Sequence, residues 1–202
     1  MTIMRNLTSE ISKHSFRTVA LAIIAVTQLG CAVAVTAAAV TAVDIATDRR
    51  TTGNYVDDNA VELKIRRAVY STPGLRRQIH ISATSMNGIV LLSGETPTPV
   101  LRDRIVQHVQ KFPEIRQIVN EIRIAGKTSW PSRANDAWIT TKVKTRLIRR
   151  TKIKANRVKV VTEQGNVYLM GIVSRAEGEA AADAARTVKG VSRVVKVFEY
   201  TG

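Results

Sequence analysis

Apolar positions fall into two periods along residues 56–202, and the same succession of periods occurs twice. Val61, Ile65 and Val69 recur every four residues, which places them on one side of a helix over residues 58–71. Ile139, Val143 and Leu147 do the same over residues 136–150. Alternation follows each helix: Ile79, Ile81 and Ala83 in one stretch, and Val158 and Val160 in the other, face one side of a strand. A tight turn comes next. Asn87-Gly88 suits a two-residue hairpin, because both central residues of a type I′ turn take positive φ, and Gln164-Gly165-Asn166 is the weaker equivalent. Second strands are expected over residues 89–93 and 167–170. A second helix follows Pro99 and carries Leu101, Ile105, Val106 and Val109; its alanine-rich counterpart runs over 176–188. Strands over 118–124 and 194–200 close the two stretches.

The two stretches are copies of one unit. Residues 87–94 and 164–171 both read G-x-V-x-L-x-G, or its close variant, at a separation of 77. Asp58 matches Asp136 at 78, and residues 115–120 match 191–196 at 76. Three blocks in one order, with the spacing drifting by one, indicate duplication with small insertions. The fold class is therefore α+β: two tandem αββαβ units, each a small three-stranded mixed sheet covered by two helices, behind an N-terminal segment. The units occupy 56–124 and 135–202, with a linker over 125–134 that contains Gly126 and Pro131. A unit of about 65 residues has a marginal core, so the two are expected to lean on each other, with Trp130 of the linker packed between them. Asp57-Asp58 and Asn135-Asp136 stand where helix N-caps are expected, and the motif glycines Gly88, Gly94, Gly165 and Gly171 read as turn and bulge residues.

The first 50 residues have a different pattern. Arg5, Lys13 and Arg17 precede a run over 19–43 with no charged residue. A basic start before an apolar run is the layout of a secretory signal. The run contains Gly30-Cys31, a small residue followed by the chain's one cysteine, which is similar to a bacterial lipobox. On that reading residues 1–30 are a signal peptide, Cys31 carries lipid, and residues 31–55 are a lipidated tether. Two other readings stay open: an uncleaved anchor, since 25 residues can span a bilayer, and a cleaved signal in which Cys31 is an inert apolar residue. All three export the remainder of the chain.

The αββαβ order, the G-x-V-x-L-x-G hairpin and the I/V-x-x-V-V block near the end of each unit resemble the BON domain. Two such units behind a lipobox are similar to the dual BON-domain outer-membrane lipoproteins, over about residues 25–202. That resemblance implies a lipid-anchored, periplasm-facing protein of a Gram-negative outer membrane. It implies a role without catalysis or cofactor, in which the protein binds anionic phospholipid and supports envelope integrity.

The residues themselves offer no catalytic set. His14, His80 and His108 are scattered, without cysteine or carboxylate partners at metal-ligand spacing, and are expected as surface histidines, His80 pointing outward from its strand. No phosphate-binding glycine loop is present. Charge is the remaining signal. The chain has 31 Lys and Arg against 16 Asp and Glu. Residues 126–160 hold eleven basic residues, and Asp136 is their only acid. At 100° per residue Trp138, Lys142, Thr145 and Arg149 fall away from the Ile139 stripe. A tryptophan among cations on an open helix face fits docking on an anionic membrane, and these four residues are the expected phospholipid contacts. The first copy has Ala60 in the place of Trp138 and is expected to be mainly structural. A second reading is an envelope scaffold that binds another protein through the same Trp138 face. Nucleic-acid binding is a remote third, because stacking aromatics are sparse and the chain is exported.

Overall fold

A computed structural model of the chain describes residues 51–71, 75–151, 153 and 157–201. The expected features at Cys31 and in the rest of the signal and tether lie outside these residues. The first copy contains α1 (Thr52–Tyr70), a short α2 (Leu75–Gln78), β1 (His80–Met86), β2 (Ile89–Thr96), α3 (Pro99–Val109) and β3 (Gln117–Ile124). The second contains α4 (Trp130–Arg150), β4 (Val158–Glu163), β5 (Asn166–Val173), α5 (Arg175–Arg186) and β6 (Arg193–Tyr200). Apart from the extra turn of helix at α2, the order is the expected αββαβ, twice. Each sheet is three-stranded and mixed, with β1-β2-β3 and β4-β5-β6 as the spatial orders. The hairpin strands are antiparallel, and the third strand runs parallel to the central one. That parallel pairing requires a crossover, and α3 and α5 supply it.

Both long helices begin earlier than the sequence pattern predicts. Thr51 caps α1, its hydroxyl accepting from Asn54 N at 3.1 Å. Ser129 stands at the N-cap of α4, with Pro131 in the first turn, where its missing N–H leaves no bond unmade. The helix thus takes in much of the expected linker. Asp58 and Asp136 are consequently not caps. Each lies buried inside its helix and serves the hairpin instead. Asp58 accepts from Asn87 N at 2.8 Å, Gly88 N at 3.0 Å and Ser85 Oγ at 2.6 Å. Asp136 accepts from Gln164 N at 2.8 Å and Gly165 N at 2.9 Å. The turn residues have φ of 52° and 75° in one copy and 49° and 75° in the other. This left-handed pair turns two successive N–H groups toward one carboxylate.

The last glycine of the motif also has a different task from the one expected. Gly94 and Gly171 sit within β2 and β5, opposite Ile81 and Val158. A Cβ on Gly94 would lie 2.0 Å from His80 O, and one on Gly171 2.3 Å from Arg157 O. Close strand approach, rather than a turn, requires glycine there.

The helix stripes form the expected cores. Val61, Ile65 and Val69 pack with Ile79, Val90, Leu92, Ile105 and Val109. Ile139, Val143 and Leu147 pack with Val158, Val167, Leu169 and the alanines of α5. A third core lies on the other side of both sheets. Met86 and Leu91 of the first copy meet Tyr168, Met170 and Val197 of the second, with Ile89, Val119, Val161 and Val195 around them. Residues alternate along β2 and β5, so Val90 and Leu92 face the helices while Leu91 faces the other sheet. The two copies therefore pack through their helix-free faces. Polar contacts join them at the margin: Arg193 to Glu121 at 2.7 Å, Lys159 to Glu62 at 3.0 Å and Asn87 Nδ2 to Glu199 at 2.8 Å.

Candidate functional site

The four residues that helical periodicity groups together do converge. Trp138, Lys142, Thr145 and Arg149 line one groove on the outer side of α4, with a volume of about 670 Å³. The helix holds them rigidly because its opposite stripe, with Ile139 and Val143, is fully buried. Trp138 is 59% exposed, and Lys142 Nζ lies 4.6 Å from the centroid of its ring. That cation–π contact fixes the ammonium over the indole face. Thr145 and Thr141 return their hydroxyl protons to the helix, to Thr141 O at 2.9 Å and Ala137 O at 3.0 Å. Both threonines line the groove, and with their hydroxyl protons so engaged they add no charge to it.

The groove contains more than the sequence pattern groups together. Arg146 and Arg150 of α4 also line it, and Thr187, Val188 and Lys189 form its far wall. Lys189 follows α5 and is remote from α4 in sequence, so only the packing of α5 against α4 brings its charge here. Arg146 and Arg150 belong to the basic window, and their four-residue spacing is the available signal. The basic window itself divides. Lys159 is tied to Glu62, Arg157 lies 3.6 Å from Glu177, and Lys127 donates to Arg76 O at 2.9 Å. Lys142, Arg146, Arg149 and Arg150 are the part that faces the groove.

Trp130 does not pack between the copies. It is 78% exposed at the start of α4, with the Arg133 guanidinium 4.7 Å from its ring centroid. Its expected place is taken by the third core, which already fills the contact between sheets. Ile148, also exposed, is on the same side of the helix as Trp130, because eighteen residues make five full turns. The open side of α4 thus carries two tryptophans and an isoleucine among cations.

The matching helix of the first copy is different in kind. Ala60 stands at the Trp138 position, and Lys64, which matches Lys142, is paired to Glu114. That surface has no indole, and the ammonium that would stack on one is already neutralised.

The two copies match the BON domain family model over residues 57–126 and 135–202. The chain belongs to the BON-domain family. Its second BON domain is the one that bears the groove. The two-copy chain is of the DolP type: it is 36% identical over 171 residues to the outer membrane lipoprotein DolP of Haemophilus influenzae, covering 85% of this chain and 89% of that one. It is also 36% identical over 153 residues to a 21 kDa hemolysin of Actinobacillus pleuropneumoniae, covering 76% and 79%. Osmotically-inducible protein Y of Escherichia coli is 26% identical over 145 residues, covering 70% and 72%. Among the described residues, no helix is long and apolar enough to cross a membrane.

A second polar cluster sits at the margin between the BON domains. His80 and Glu95 are partners across β1 and β2. His80 Nδ1 is 3.5 Å from Glu95 Oε2 and 3.9 Å from Glu163 Oε2 of the second domain. His80 does alternate away from Ile79 and Ile81, but that face meets the other sheet, so it is not the surface histidine expected. Burial lowers its pKa, opposed by Glu95 and reinforced by Arg133. Burial also pushes the Glu163 carboxyl up to about 7, with the charges of Glu95 and Asp136 adding to it.

Proposed function

We propose that the protein is a non-enzymatic outer-membrane lipoprotein, anchored through Cys31 and facing the periplasm, that docks on anionic phospholipid through its second BON domain. The DolP relative supports the envelope location, and the basic start with its uncharged run through Cys31 has the layout of an exported precursor. The observation that carries the docking assignment is Trp138, more than half exposed and stacked under Lys142 in a groove with four further cations, Arg146, Arg149, Arg150 and Lys189. Phosphate headgroups satisfy the cations, and the indole sits at headgroup depth. Each basic residue beside an anionic leaflet contributes about 1 kcal/mol, or roughly fivefold in partition. On this reading the protein supports envelope integrity through that contact with the leaflet.

Vesicle flotation of the compact unit 47–202, freed of the anchor segment, tests this. Recovery is expected with vesicles containing anionic phospholipid, little with neutral ones, and a fall as salt rises. Equal recovery with both vesicle types, or no loss on Trp138→Ala, overturns it. Should Trp138→Ala spare vesicle binding but abolish crosslinking to another envelope protein in cells, the groove is a protein interface.

A further inference from the structure

The His80 cluster straddles the boundary between the two BON domains, apart from the residues that line the groove, and its composition is that of a ligand set. Its donor atoms, the imidazole Nδ1 and one carboxylate oxygen each from Glu95 and Glu163, all lie within 4.8 Å of one another. We infer that His80, Glu95 and Glu163 bind one divalent transition-metal cation of the Zn²⁺ class, which staples the two BON domains together.

Three observations carry this. First, the spacing is close to what an ion imposes. Zn²⁺ holds nitrogen and oxygen ligands at about 2.0–2.2 Å, so tetrahedral neighbours stand roughly 3.4 Å apart. The His80–Glu95 separation is 3.5 Å, the His80–Glu163 separation 3.9 Å and the two carboxylates lie within 4.8 Å of each other, so side-chain rotations of about an ångström close the set. Second, His80 Nδ1 is buried with the Glu95 and Glu163 carboxylates facing it at 3.5 and 3.9 Å, so the ring nitrogen is held beside two carboxylates without a short hydrogen bond to either. Third, one of the ligands is braced. Glu95, 1% exposed, accepts from Thr128 N at 3.3 Å, from Thr128 Oγ1 and from Gln164 Nε2 at 2.7 Å. Such outer contacts fix the orientation of a ligating carboxylate.

The chemistry also selects the ion. Mg²⁺ and Ca²⁺ take oxygen ligands, whereas an imidazole with two carboxylates suits Zn²⁺ and its neighbours. Two carboxylates cancel the ion's charge. Three protein ligands leave the fourth position to water, and the partial exposure of His80 and Glu163, at 22% and 13%, gives the ion a way in from solvent. His80 and Glu95 belong to the first domain and Glu163 to the second, so the bound ion would resist their separation. Arg133 and Lys127 act on the same imidazole and weaken the attraction for a cation.

Calorimetric titration of the full-length protein in detergent with ZnCl₂ tests the assignment, together with the melting temperature. One ion per chain and a rise in melting temperature are expected, with no response to MgCl₂. His80→Gln and Glu163→Gln should each lower the Zn²⁺ affinity about tenfold or more. His108→Gln, on the exposed side of α3, should leave it unchanged. No stoichiometric binding, or binding by His80→Gln equal to wild type, overturns the site. If His80→Gln does not fold, Co²⁺ added to the wild-type protein decides. Paramagnetic broadening confined to the His80 imidazole supports the site, and broadening equal at His80 and His108 overturns it.

Discussion

Asp136 shows how one side chain can hold two elements in register. Its carboxylate, buried inside α4, takes both N–H groups of the β4–β5 turn, so helix and hairpin cannot slide independently. Asp58 repeats the arrangement and adds Ser85 Oγ. Hydrogen bonds to a charged acceptor contribute about 1.5–3 kcal/mol each, and a buried donor left unpaired costs on a similar scale. Asp136→Ala is therefore expected to destabilise by about 2–4 kcal/mol in urea unfolding. Asp136→Asn should lose less, because one amide oxygen still accepts. Gly94 is a second such residue. With φ of 108° and His80 O at 2.0 Å from any Cβ, Gly94→Ala should cost on the order of 3 kcal/mol or more, read in the same experiment. Both aspartates are visible in the sequence as a matched pair. Their work is not, because a carboxylate ahead of an apolar stripe has the same appearance whether it caps its own helix or reaches a turn 28 residues away.

At the scale of the element, α1 and α4 are one helix used in two ways. Both keep the buried stripe that covers the sheet, and α4 adds an indole and a row of groove-lining cations on its outer side. Duplication makes this division legible in the sequence, since each copy serves as the control for the other. The stripe spacing alone groups Trp138, Lys142, Thr145 and Arg149, and they are together. Lys189 is not legible, because no periodicity within one helix reports on the end of another. The earlier start of α4 is hidden for a related reason: Pro131 among polar residues has the look of a break, although proline is well suited to a first turn. If docking belongs to the element, Trp138→Ala should lower partition onto anionic vesicles about threefold to tenfold, as the loss of one interfacial aromatic and its cation–π partner. Lys189→Ala should lower it about fivefold. Ala60→Trp in α1 should restore nothing to a Trp138→Ala protein, since Lys64 there is already engaged by Glu114. Flotation measures all three.

The whole molecule depends on the third core. Tyr168 and Met170 are as fully buried as any residue in the helix-side cores. Truncating a large core side chain costs about 3–5 kcal/mol, so Tyr168→Ala should fall in that range. Met170→Lys places a charge where the two sheets touch and should split one thermal transition into two, which calorimetry would resolve. The signal for this core is in the chain. Ile89-Val90-Leu91-Leu92 and Val167-Tyr168-Leu169-Met170 are unbroken apolar runs, which is how a strand covered on both faces reads. Attention to the alternate positions alone picks out the helix-side residues and leaves Leu91, Tyr168 and Met170 without an assignment.

The use of both sheet faces has a consequence for how such chains can be divided. A copy severed from its twin would keep its helices and its own core, yet present Met86 and Leu91, or Tyr168 and Met170, to water. Such a face is adhesive to its own kind, and the simplest escape is for two severed copies to pair as separate molecules. The tandem chain is then a dimer whose protomers have been spliced end to end. Splicing frees each half from having to remain identical to the other, and it lets a groove lined by tryptophan and cations arise on one side while its sibling stays plain.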